Sequence, residues 1–130
     1  MRIAIVEPDE ILADLVSFRL ELLGHELITW NSASQMLAAM PEAMIDLLIV
    51  DTCQTDMQGW EAIQKIRKAY PVNDLPILAL SVDTDLSLVE QSYKAGANDY
   101  LITPFDPAKL QEKIDALLMR RNASAKKQKV

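Results

Sequence analysis

Two runs near the middle of the chain, "DLLIV" at 46–50 and "PILAL" at 76–80, are apolar from the second residue on. A strand with one wet face alternates apolar and polar residues. A strand without that alternation is covered on both faces, as in a parallel sheet flanked by helices. Three further short runs suit strands: "RIAIV" at 2–6, "ELITW" at 26–30 and "DYLI" at 99–102. Helical patterns fill the gaps. Leu12, Val16, Leu20 and Leu23 share one side of a first helix that Gly24 stops. A shorter helix covers about Ala33 to Met40, a third keeps Ile63, Ile66 and Tyr70 in register, and a fourth runs from about Asp85 to Ala95 before Gly96. The last begins with Asp106 as N-cap and Pro107 in the first turn, and turns Leu110, Ile114 and Leu117 inward. Five such strand–helix units predict an α/β fold, a single doubly wound domain with helices on both faces.

The totals agree with one domain. The chain has 130 residues, and half of them are apolar, enough for a core. No run approaches the ~20 apolar residues of a membrane span. The sequence enters a strand at Arg2 with no signal-peptide pattern. A single cysteine, Cys53, allows no internal disulfide and suits a reducing cytoplasm. The net charge of −6 is uneven: "RRNASAKKQKV" at 120–130 holds five bases and no acid. The first 119 residues carry 8 bases against 19 acids, or −11, which argues against a nucleic-acid surface on the body. We expect a domain over 1–119 and a basic solvated tail or linker over 120–130.

Open α/β sheets bind ligands outside the carboxyl ends of their strands. That rule points to Glu7–Asp9, Asp51–Cys53, Ser81–Asp83 and Ile102–Pro104. Carboxylates there suit a hard cation, and hydroxyls suit a phosphoryl group that the cation neutralises. Asp51 follows a wholly apolar strand and precedes a loop, so its carboxylate is a stronger candidate than Asp9, which stands where the first helix should be capped. Pro8, between the acids, can neither ligate a metal nor donate a backbone hydrogen bond. The three glycines, Gly24, Gly59 and Gly96, leave none after the first strand, so a glycine-rich nucleotide or flavin loop is excluded there.

"IVDTCQTDMQGWEAIQKIR" resembles the phosphoacceptor segment of response-regulator receiver domains, and "AGANDYLITPF" is similar to their Ala-Gly-Ala, acidic-aromatic, Pro-Phe ending. The likeness covers residues 2 to about 119 in order. It implies the flavodoxin-like (βα)5 fold with sheet order 2-1-3-4-5. By position, Asp51 matches the phosphoacceptor, served by a histidine kinase or phosphotransfer protein. Glu7 matches the first of two paired acids, and Cys53 the residue whose backbone carbonyl ligates Mg²⁺. Ser81 matches the hydroxyl that bonds the phosphoryl oxygen and moves in the switch, and Tyr100 the aromatic that turns inward. The resemblance also implies a cis Thr103–Pro104 bond. Such a domain is no enzyme beyond assisting its own phosphorylation and dephosphorylation, and it meets an output partner or itself through helix 4, strand 5 and helix 5.

Three positions depart from the pattern. Pro8 replaces the second acid, Thr103 replaces a lysine, and Thr55 replaces the loop proline. Thr103 offers a hydroxyl but no charge. Asp9 could stand in for the lost acid only if the first helix starts late. The expected Mg²⁺ site is therefore weak or lost, held by Glu7, Asp51 and the Cys53 carbonyl, with Asp9 as a further candidate. The reading is a receiver with an impaired phosphoacceptor site; the alternative is a phosphorylation-independent interaction module. Leu86, Val89 and Tyr93, at i, i+3 and i+7, read as a core stripe of the fourth helix.

Overall fold

The structure is a computed structural model that describes residues 1–81 and 86–128, with side chains only up to 122 in the last helix. Asp83 and Asp85, named above at the rim and at the start of the fourth helix, lie outside the described residues. The elements follow in strict alternation: β1 Arg2–Val6, α1 Glu10–Leu22, β2 Glu26–Trp30, α2 Ala33–Ala43, β3 Leu47–Asp51, α3 Gly59–Arg67, β4 Ile77–Ser81, α4 Leu86–Ala95, β5 Asp99–Ile102 and α5 Pro107–Gln128. The five strands form one parallel sheet in the order β2-β1-β3-β4-β5.

Side-chain alternation divides the core into two layers. Ile3, Ile5, Leu47, Ile49, Leu78 and Leu80 pack under α1 and α5. Ala4, Val6, Leu48, Val50, Ile77 and Ala79 point the other way, towards α2 and α3. All five residues of β3 and of β4 are buried, as their unbroken apolar runs predict.

Asp9 caps α1 as expected, accepting from the amides of Ile11 and Leu12 at 3.0 and 3.3 Å. Two other helix ends differ from the sequence expectation. α2 runs past Met40 and takes Pro41 into its last turn. It then stops at Met44, which adopts φ 51°, and the Tyr70 hydroxyl donates to the Met40 carbonyl at 3.2 Å. α5 continues to Gln128 and draws most of the basic segment into the helix. Its Arg, Ala, Lys and Gln residues are good helix formers, and Arg121 pairs with Asp46 at 3.2 Å. Asp106 caps α5 as expected, accepting from the Ala108 amide at 2.9 Å. The Thr103–Pro104 peptide is cis.

Arg67, the last residue of α3, ties the amino-terminal edge of the sheet together. Its guanidinium donates to the carbonyls of Gly96 at 2.9 Å, Tyr70 at 3.0 Å, Pro71 at 3.3 Å and Leu75 at 2.6 Å, and to Asn98 Oδ1 at 2.8 Å. Asn98 Oδ1 also accepts the Ile77 amide at the start of β4, at 2.8 Å. Gly96, at φ 121°, lies so close that an added Cβ would come within 2.6 Å of Arg67 Cγ. No carboxylate shares this set, and burial pushes the guanidinium down to about 10.

Candidate functional site

β1 and β3 are direct neighbours, with Val6 opposite Val50. The next residue on each strand is a carboxylate, so Glu7 and Asp51 face each other across the carboxyl edge. Both are buried, with exposures of 2% and 4%. One Asp51 oxygen accepts the Cys53 amide at 2.8 Å. Glu7 Oε2 accepts the Asp9 amide at 3.3 Å, while Oε1 is buried without another partner. Burial, then the contact with Asp51, pushes the Glu7 carboxyl up to about 9. Near neutral pH Glu7 therefore keeps its proton, because burial and the Asp51 contact both disfavour its ionised form.

The rest of the edge follows from the register. Asp51 is level with Leu80 on β4, and Ser81 with Ile102 on β5. Ser81 ends β4 and is buried, and Thr103 stands one residue beyond β5. The Thr103 amide donates to the Ser81 carbonyl at 2.8 Å, and its hydroxyl reaches the same oxygen at 3.3 Å. That hydroxyl is thus engaged with backbone.

The loop after Asp51 is held from three sides. Gln54 Nε2 donates to the carbonyls of Val6 at 3.2 Å and Asp51 at 2.8 Å, bridging β1 to β3. Cys53 and Gln58 form an isolated antiparallel bridge. Gly59 opens α3 directly against the loop; a Cβ there would lie 2.6 Å from both the Asp51 carbonyl oxygen and the Thr52 Cα. The Met-x-Gly turn is therefore a steric requirement for bringing α3 up to the aspartate.

The family described as response regulator receiver domain matches residues 3–115. The chain belongs to that family. Among curated relatives it is 32% identical over 125 residues to a probable transcriptional regulator ycf27 of Cyanidium caldarium, covering 94% of this chain and 49% of the relative. It is 31% identical to the heme response regulator HssR of Staphylococcus saprophyticus, covering 92% of this chain and 52% of that one. The chain thus spans about half the length of the curated relatives it matches. A CheY-like response regulator receiver domain protein from Methanospirillum hungatei superposes with a TM-score of 0.88 at 29% identity, over 94% of this chain and 96% of that one.

Within this receiver, the expected residues Glu7, Asp51, Ser81 and Thr103 all stand at the carboxyl edge, and Cys53 follows two residues after Asp51. Asp9 uses Oδ1 to cap α1, and no group of three His, Cys, Asp or Glu side chains among the described residues is placed to hold a metal. A hard cation would find the Glu7 and Asp51 carboxylates and the Cys53 carbonyl. The buried, unpartnered Glu7 Oε1 suits such an ion, with water completing its shell.

Tyr100 lies half-buried on β5, edge-on to the Tyr93 ring at 6.0 Å and beneath the Lys113 ammonium at 5.5 Å. Lys113 is fixed in turn by Asp99 at 2.9 Å. A cavity of about 480 Å³ opens beside Tyr100, between β5 and α5, lined by Phe105, Lys109 and Lys113 among others. The α4 stripe needs correction: Val89 is buried, but Leu86 is 70% and Tyr93 43% exposed. α4 instead turns Val89 and Ser92 towards the body.

The proton held by Glu7 has a measurable consequence. A free glutamate releases its proton near 4.5, whereas folded Glu7 keeps it to about 9. Between those values unfolding releases a proton, so stability falls as pH rises through that window. Glu7→Gln cannot titrate. The variant is expected to be clearly more stable than wild type at pH 8.5, and to differ much less at pH 5. Denaturant midpoints at the two pH values would read this, and an equal gain at both would refute it.

Proposed function

We propose that this receiver is a signalling switch whose phosphoacceptor is Asp51 and whose site is impaired. The observation that carries the reading is the buried Glu7–Asp51 pair at the carboxyl edge, with no cationic side chain at position 103 beside it. In the reaction, an Asp51 oxygen attacks the phosphorus of a phosphohistidine on a kinase or phosphotransfer protein. The new O–P bond forms as the P–N bond breaks, and the imidazole nitrogen leaves with the electron pair and is protonated. The Cys53 amide orients the acceptor carboxylate. Ser81 would meet a phosphoryl oxygen, after which Tyr100 is the residue to change its packing.

Mg²⁺ would be held by Glu7, Asp51 and the Cys53 carbonyl, and when bound it neutralises charge on the transferred group. Glu7 must first give up its proton. Pro8 contributes nothing, so the affinity is poor. The domain turns over no external substrate. Its partners are a donor kinase or phosphotransfer protein, and an output partner or second copy on the α4–β5–α5 face. The site of action is the cytoplasm; no helix among the described residues is long and apolar enough to cross a membrane. A second reading, an interaction module that works without phosphate, is favoured by the Thr103 hydroxyl, which is already engaged with the Ser81 carbonyl.

Incubation with a small phosphodonor and Mg²⁺, followed by intact-mass measurement, separates the two. The first reading expects slow, partial addition of one phosphoryl group, absent in Asp51→Asn. No addition to wild type under conditions that saturate an ordinary receiver would leave the second.

A further inference from the structure

α1 has two apolar faces. Ala13, Val16 and Leu20 are buried under the body of the domain. On the opposite side Ile11, Leu15, Phe18 and Leu22 are 74%, 61%, 65% and 63% exposed. A helix on the surface of a soluble domain ordinarily turns charged and polar residues outward. Here the outward residues are spaced four, three and four apart, the repeat of a two-helix seam. Together they offer roughly 500 Å² of contiguous apolar surface, the size at which patches mark contact sites.

The flanks of the seam say what could cover it. Asp14 and Arg19 border it on opposite sides, five residues apart. Neither takes part in an ion pair among the described residues, and Arg19 Nε is buried without a hydrogen-bond partner. In a parallel two-helix seam, a residue on one flank meets the residue five positions on, on the other helix's facing flank. Asp14 would thus meet Arg19 of a second copy, and symmetry repeats the pair. An antiparallel seam would instead bring Asp14 beside Glu21 of the other copy, two acids together.

We propose that a second copy of this chain docks on α1, the two helices packing in parallel about a two-fold axis through Ile11, Leu15, Phe18 and Leu22, with Asp14–Arg19 pairs on both sides. The interface is isologous and closed. It buries roughly 1,000 Å² in total over the two copies, at the lower end of specific contacts, so the dimer is weak and concentration-dependent. The contact needs no phosphate, and it lies on the outer face of α1, away from Asp51.

Sedimentation of the full chain over a wide concentration range tests this. Wild type is expected to pass from monomer to dimer as concentration rises. Asp14→Arg and Arg19→Asp should each weaken dimerisation roughly tenfold. The double reversal, Asp14→Arg with Arg19→Asp, should restore it, because opposite charges face each other again. Phe18→Glu should remain monomeric, with circular dichroism unchanged because the side chain is exposed. Wild type that stays monomeric throughout would overturn the proposal, the outcome expected if α1 serves a helix of another protein. So would a dimer indifferent to these changes, or a double reversal without rescue, since only a second copy carries the matching exchange.

Discussion

Replacing Pro8 by aspartate and Thr103 by lysine together is expected to raise the rate of Asp51 phosphorylation by about 100-fold, and by more than the product of the two single effects. The geometry explains why neither change suffices. Glu7 already holds a proton next to Asp51 in a buried site. Pro8→Asp adds a third acid to that pair, and without compensating charge part of its value is lost to repulsion. Thr103→Lys brings a cation, worth up to about 4 kcal/mol against a phosphoryl oxygen 4 Å away at an effective dielectric near 20, before desolvation. Alone, however, that ammonium pairs with the existing carboxylates and leaves the metal without its direct ligand. Acid and lysine relieve each other. Rates with a small phosphodonor, measured for all four variants at fixed Mg²⁺, give the coupling directly. Strict multiplicativity, or a wild type as fast as the double variant, would mean that the site is not impaired in this way.

The second large effect lies at the other end of the sheet. Arg67→Ala should cost about 3 kcal/mol and lower the melting temperature by roughly 10 °C. The substitution removes the donor from four carbonyls and from the Asn98 amide oxygen, which the guanidinium gathers at 2.6–3.3 Å. Arg67→Lys should recover less than half of the loss. Its ammonium is a single point and cannot span Leu75 on one side and Gly96 on the other. Thermal melts of the three proteins suffice. A loss below about 1 kcal/mol for alanine would show that water replaces the guanidinium without penalty.

Much of this arrangement is legible in the residues themselves. The unbroken apolar runs of β3 and β4 announce a sheet covered on both faces, and the rim rule then places Glu7, Asp51, Ser81 and Thr103 at one edge. What escapes the sequence are facts that need two distant segments at once. Gln54 is an ordinary loop glutamine until its amide is seen to bridge Val6 and Asp51. Arg67 looks like a solvated base at a helix end, and only folding brings Gly96 and Asn98 to it. α1 misleads in another way: its inner stripe is easy to find, but Leu22 and Phe18 look equally suited to a core, and only the fold decides which side is wet.

The Arg67 tie bears on how such a domain can change over time. It joins α3 to the starts of β4 and β5 by hydrogen bonds to neutral groups, at the edge remote from Asp51. Nothing in that tie depends on the carboxylates, on a cation or on a phosphoryl group. Folding strength and phosphoryl chemistry are therefore inherited separately. A lineage can exchange an acid for Pro8 and a lysine for Thr103 and still produce a well-folded protein. Selection can then set the remaining pair, Glu7 and Asp51, to a new use, or let it decay, without threatening the frame that carries it.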